Sequence, residues 1–280
     1  MPPRIAIPMP HSIDREYAER AIPQYERAIE RAGGEPVRIP LDQPPTEVMK
    51  LTESCDGVLL PGSNADVDPA MFGATRSPHT AAADPRRDAV DELLLQDAYN
   101  LRKPVLGICY GLQTLNVYRA GSLVQHIPDF LPAELRARVN HEAGKKVAVA
   151  HAVEIEKDSK LAAIVNGIVD GRGREGHGLS HADRESERNR ALAPEGTKLV
   201  VPVNSSHHQS ADAIGNGLRI AARCPDDKII EALEGTAPDH FVLAVQWHPE
   251  RSADEDEPSR AIFRALIQAA EIKAAETQRK

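Results

Sequence analysis

Apolar residues recur along this chain in two periods, and their alternation sets out an architecture before any chemistry is considered. Short continuous apolar runs, the pattern of strands buried on both faces, fall at Arg4–Pro8, Pro36–Ile39, Gly57–Leu60 and Val105–Ile108. Helical periods lie between them. Tyr17 to Ala32 reads as a helix closed by Gly33-Gly34. Asp84-Pro85 reads as a cap and first-turn proline, followed by a stripe of Val90, Leu93, Leu94, Ala98 and Leu101. Beyond residue 140 the pattern becomes strand-rich, with runs at Lys146–Glu156, Lys198–Val203, Leu218–Arg223, Ile229–Glu234 and Phe241–Gln246. A last helix follows Pro258, with Ile262, Ala265, Leu266 and Ala269 on one side. Strands alternating with helices, then a cluster of strands, predict an α/β fold. Its mostly parallel central sheet is flanked by helices and carries a small antiparallel addition. Neither a repeat nor a second-domain boundary interrupts the pattern, so 1–280 is expected to be one domain.

One segment breaks the pattern. Asn166 to Thr197 is rich in glycine and in charges of both signs and has no aromatic residue. Such a composition buries too little surface to offset its ordering entropy, which predicts a flexible surface insertion at 166–197, acting as a lid or a partner-binding arm. His177 and His181 lie four apart within it, but Gly176 and Gly178 weaken the helix that would pair them, and no third metal ligand is evident.

Composition narrows the function classes. At 280 residues and 41% hydrophobic the chain can bury one large core. A formal net charge of −8 without a basic run argues against a nucleic-acid partner. No apolar stretch is long enough for a membrane span and the N-terminus lacks a signal pattern, so a cytoplasmic protein is expected. Three cysteines without a Cys-x-x-Cys pair fit a reducing compartment, and Cys55 and Cys224 read as core residues beside strands.

Cys109 reads differently. It stands in Gly-Ile-Cys-Tyr-Gly, where an apolar strand passes at once into a helix, the layout of a nucleophile elbow, with glycine on both sides for a tight turn. The N-terminus of the following helix favours negative charge there and offers the Tyr110 N–H to an oxyanion. On the motif alone, a buried core cysteine is the other reading. Far downstream, Phe-Val-Leu-Ala-Val-Gln-Trp-His-Pro-Glu is a further strand, expected to run into His248-Pro249-Glu250 with His248 and Glu250 on one side. A carboxylate beside an imidazole orients it, completing a Cys109, His248, Glu250 set at the carboxyl ends of strands.

With these pieces the chain resembles the class I glutamine amidotransferases, and within them the γ-glutamyl hydrolases. The resemblance rests on 57–69, Gly-Val-Leu-Leu-Pro-Gly-Ser-Asn-Ala-Asp-Val-Asp-Pro, and on Asp-Pro-Arg-Arg-Asp at 84–88. It also rests on Gly-Ile-Cys-Tyr-Gly-Leu-Gln-Thr-Leu-Asn at 107–116, Asn-Ser-Ser-His-His-Gln at 204–209 and Val-Gln-Trp-His-Pro-Glu at 245–250. It implies a flavodoxin-like domain in which Cys109, His248 and Glu250 are catalytic. Gly62 or Ser63 would add a second oxyanion N–H, and Gln113 and His207 would line the glutamyl pocket. A turn glycine, a solvated amide and an unliganded strand-end histidine are the plain alternatives for Gly62, Gln113 and His207. Ser63 departs from the Pro-Gly-Gly of many relatives without altering a backbone donor, and Tyr110 stands where the hydrolases commonly have arginine, which leaves the leaving group open. Arg86 and Arg87 are expected to face solvent.

The implied chemistry is thioester-mediated cleavage of a γ-glutamyl amide, such as γ-glutamyl-γ-aminobutyrate in polyamine catabolism. It needs neither metal nor organic cofactor. The expected partners are a small-molecule γ-glutamyl substrate and, in a homo-oligomer, further copies of the chain. A glutaminase subunit feeding ammonia to a synthase, and an idle binding protein on the same fold, are the alternatives.

Overall fold

A computed structural model describes residues 1–136, 138–167 and 199–278. Most of the insertion read at 166–197, with His177 and His181, lies outside the described residues. The order is β1 (Arg4–Pro8), α1 (Arg15–Arg31), β2 (Glu35–Ile39), α2 (Pro45–Glu53), β3 (Gly57–Leu60), α3 (Pro85–Leu101), β4 (Val105–Ile108) and α4 (Tyr110–Tyr118). There follow β5 (Leu123–Val124), the single turns α5 (Ile127–Phe130) and α6 (Ala133–Arg136), β6 (His151–Ile155) and α7 (Lys160–Val165). The chain closes with β7 (Leu199–Val203), β8 (Ser210–Ala211), β9 (Leu218–Arg223), β10 (Ile230–Gly235), β11 (Val242–Val245) and α8 (Glu257–Gln278).

Among the described residues nine strands form one sheet in the order β2-β1-β3-β4-β11-β10-β9-β6-β7, while β5 and β8 pair separately. The first five strands of that order run parallel, and the next four extend the same sheet antiparallel. Alternate residues feed two cores. Ile5, Leu59, Leu106, Ile108 and Leu243 pack with apolar residues of α1, α7 and α8 on one face. Ala6, Val58, Leu60, Val105 and Val242 pack with residues of α3 and α4 on the other. Nearly continuous burial explains why β3, β4 and β11 read as unbroken apolar runs.

Two expectations are corrected. The run 146–156 forms a strand only from His151, because β6 pairs with β7 from His151↔Val203, beyond which the partner turns away at Asn204. Arg87 does not face solvent. It is fully buried on α3, where its guanidinium holds Asp91 Oδ1 at 2.7 Å and donates to Pro10 O at 3.1 Å and Pro61 O at 2.8 Å.

Candidate active site

β4 and β11 are parallel neighbours, with Ile108 opposite Val245. Their carboxyl ends therefore carry Cys109 and His248 to one place. Cys109 adopts φ 55° and ψ −104°, a strained conformation for a residue with a side chain. It is held because its N–H donates to Val245 O at 2.8 Å while its carbonyl accepts from Leu112 N at 3.0 Å. The flanking glycines serve space and not the turn's dihedrals, which corrects the reading from sequence. A Cβ on Gly107 would lie 2.8 Å from Gly111 O, and one on Gly111 would overlap Leu60 O and sit 2.7 Å from Leu60 Cβ. Tyr110 opens α4, so its N–H has no intrahelical carbonyl to meet.

β11 ends at Val245, and Pro249–Arg251 forms a 3-10 turn. Glu250 thus reaches His248 through the turn, not by strand alternation, and its Oε1 lies 2.7 Å from His248 Nδ1. Asn204 clamps the histidine's main chain, accepting from His248 N at 2.9 Å and donating to His248 O at 2.9 Å. Burial alone would depress the imidazole's pKa, but the Glu250 carboxylate and then the Cys109 sulfur hold it up to about 9. Glu250 is buried, which would raise its pKa, yet His248 keeps it below the ordinary carboxylate range.

Gly62 touches both groups. A Cβ there would lie 3.0 Å from His248 Cε1 and 3.6 Å from Cys109 Cβ. Its N–H already donates to the Tyr25 hydroxyl at 3.1 Å, which leaves the Ser63 N–H as this loop's second candidate donor. The Ser63 hydroxyl is turned back to accept from Ala65 N at 3.1 Å. Arg87 fixes the preceding carbonyl of Pro61 and stacks over the Tyr110 ring, 5.0 Å from its centroid. The Tyr110 hydroxyl bonds Asp88, so the backbone N–H is what this residue presents at the elbow.

These groups border a cavity of about 820 Å³, whose walls include Tyr17, Tyr25, Ser63, Gln113, His207 and Arg251. Gln113 is buried, and its amide donates to Gln209 O at 3.3 Å. His207 lies in the wall, but its ring nitrogens face Gln209 O at 2.9 Å and Glu231 Oε1 at 3.4 Å, inward from the cavity. Tyr25 and Asn204 were not singled out from the sequence, and Arg87 was read as facing solvent. Tyr25 belongs to the buried stripe of α1, which reads as core, and only tertiary packing sets its hydroxyl against Gly62.

The peptidase C26 family profile matches residues 8–250. The γ-glutamyl-γ-aminobutyrate hydrolase of Escherichia coli K12 is 32% identical over 260 residues, covering 91% of this chain and 88% of the relative. A candidate glutamine amidotransferase-like protein of Rickettsia prowazekii is 30% identical over 279 residues, covering 88% and 87%. Among solved structures, a candidate GMP synthase subunit from Thermoplasma acidophilum superposes with a TM-score of 0.60. At 14% identity, over 100% of this chain and 99% of that one, it shows a shared fold alone. By the profile and these relatives, the chain belongs to the peptidase C26 family.

Proposed function

We propose that this protein hydrolyses the γ-glutamyl amide bond of γ-glutamyl amines through a cysteine thioester. The observation that carries the reading is Cys109 on a strained elbow at the cavity wall, beside an imidazole oriented by Glu250. The Cys109 thiolate attacks the γ-carbonyl carbon. The oxyanion is received by the Tyr110 N–H and the Ser63 N–H, which become complementary to charge only as the tetrahedral state forms. His248, as imidazolium, gives its proton to the nitrogen as the C–N bond breaks and the amine departs. The neutral imidazole then takes a proton from water, which attacks the thioester. Glutamate leaves, and the thiolate is restored. Glu250 holds the ring in the orientation both transfers need.

The leaving group is read as larger than ammonia. A cavity of about 820 Å³ stands in the upper part of the range for small-molecule sites, and 32% identity to a γ-glutamyl-γ-aminobutyrate hydrolase supports an amine of that kind. Free cysteines, and no helix among the described residues long and apolar enough to cross a membrane, support action in the cytoplasm.

The test is kcat/KM of the purified chain for a panel of γ-glutamyl amines, γ-glutamyl-γ-aminobutyrate included, against glutamine. Contacts to a longer amine can contribute to transition-state binding, so the amide of the longer amine is expected to be cleaved faster, and Cys109→Ala to abolish turnover. Inactivity on every γ-glutamyl amide, with glutamine cleaved only when a synthase is supplied, would overturn the hydrolase in favour of an ammonia-delivering subunit.

A further inference from the structure

Behind the cavity wall, four side chains from separate parts of the chain meet away from solvent. His141 comes from the loop before β6, His151 from β6, His207 from the segment before β8, and Glu231 from β10. Their side chains are 3%, 4%, 1% and 0% exposed. Each imidazole has one nitrogen on a protein oxygen: His141 Nε2 on Asp227 Oδ2 at 2.8 Å, His151 Nδ1 on Ala152 O at 2.9 Å, and His207 Nδ1 on Gln209 O at 2.9 Å. A carbonyl or carboxylate oxygen there requires that nitrogen to carry the proton. In each neutral ring the other nitrogen is then a lone pair.

Those three nitrogens surround one carboxylate oxygen. His141 Nδ1, His151 Nε2 and His207 Nε2 lie 3.0, 3.4 and 3.4 Å from Glu231 Oε1. The contacts have hydrogen-bond length but not hydrogen-bond direction, and none of the four atoms has a hydrogen-bond partner among the described residues. With all three rings neutral, these four buried acceptors have no donor between them and repel one another, the costly case of buried polar atoms left unsatisfied. A cation at their centre removes the conflict. All four atoms lie within 4.8 Å of one another. A tetrahedron with metal–ligand bonds of about 2.0–2.1 Å has edges of about 3.3–3.4 Å, close to the three distances to Glu231. The oxygen behind each histidine is also the outer partner that metal-bound imidazoles have, holding tautomer and ring plane.

We propose that His141 Nδ1, His151 Nε2, His207 Nε2 and Glu231 Oε1 bind one structural divalent transition-metal ion, zinc by donor set and tetrahedral spacing. Three imidazoles and a carboxylate fill four positions, so the ion is closed to substrate and does no chemistry. It ties β6 and β10 to the segment 204–209, whose Asn204 clamps His248 by two hydrogen bonds. The sequence reading placed no metal in this protein, because these ligands share no spacing motif and only the antiparallel half of the sheet brings them together.

The experiment is metal analysis of the full chain with Cys109→Ala, so that the elbow thiol cannot be a ligand. The chain is purified without chelator, then stripped and reloaded with zinc or cobalt. One tightly held equivalent is expected, with a tetrahedral cobalt spectrum lacking a thiolate band and a Tm that falls on stripping and recovers on reloading. His151→Asn and Glu231→Gln should each lose that equivalent. A folded parent chain that takes up no stoichiometric zinc or cobalt overturns the proposal, leaving an imidazolium to satisfy Glu231. So does uptake unchanged in folded His151→Asn and Glu231→Gln, which would place the metal elsewhere, such as at exposed His79 and Asp129 with half-buried His126. Since uptake is read without turnover, this outcome is independent of which amide the cavity accepts.

Discussion

His248 is asked to hold a proton at neutral pH, give it to a departing amine, and take another from water. Its surroundings serve the first two tasks. Although burial works against the charged ring, Glu250 and the Cys109 sulfur hold its pKa up to about 9. The imidazolium therefore persists below about pH 9 and is lost above it, so kcat/KM is expected to fall on an alkaline limb near that value. Glu250 is the larger of the two groups raising the ring's pKa, so Glu250→Gln should move the limb to lower pH and lower kcat by about 100- to 10,000-fold. A pH–rate profile of the variant checks both, and an unmoved limb would remove Glu250 from its role. At this scale the sequence was legible where chemistry ends an apolar run, as at Cys109 and His248. It was silent where a core residue acquires a task by packing. Tyr25 looks like any buried position of α1, and nothing local marks it as the acceptor for Gly62 N–H.

At the scale of elements, strands and helices with strong periods were legible and weakly amphipathic ones were not. β1, β3, β4 and β9 have the predicted bounds. α2 was missed, since only Val48 and Thr52 of its nine residues are buried and it presents no stripe. The strand read from Lys146 is shortened because strand propensity needs a partner to pair with, and the partner is spent at Val203. The elbow shows the same dependence on neighbours. Its glycines were read as turn-makers, but Cys109 itself takes the positive φ while Gly107 and Gly111 let α4 press onto β3 and β4. Gly111→Ala would drive a Cβ into the backbone of Leu60. It should destabilise the fold by about 3 kcal/mol or more, read as a lower urea midpoint or as loss of soluble protein. A variant as stable as the parent would show that helix and strand can separate at no cost.

Across the whole molecule, the decisive fact is the adjacency of β4 and β11, which joins an elbow and a histidine far apart in sequence. Their parallel, two-faced burial was legible, but the strand order was not, because every apolar run pairs equally well on paper. The same sheet decides the fate of the three thiols. Cys55 packs against the face lined by α3 and α4, its sulfur 3.3 Å from Leu51 O. Cys224 is fully buried just beyond β9. Burial pushes the Cys55 thiol up and carries Cys224 to about 12, so both resist forming the thiolate that alkylation requires. Cys109 is also largely buried, yet it alone of the three borders the cavity. Iodoacetamide near neutral pH is therefore expected to modify Cys109 first, with amidase activity lost in step, and to reach Cys55 and Cys224 only as the sheet unfolds. Peptide mapping by mass over a time course decides it. Labelling of all three at one rate in folded protein would mean that the cavity gives Cys109 no special access, and the nucleophile would have to be sought elsewhere.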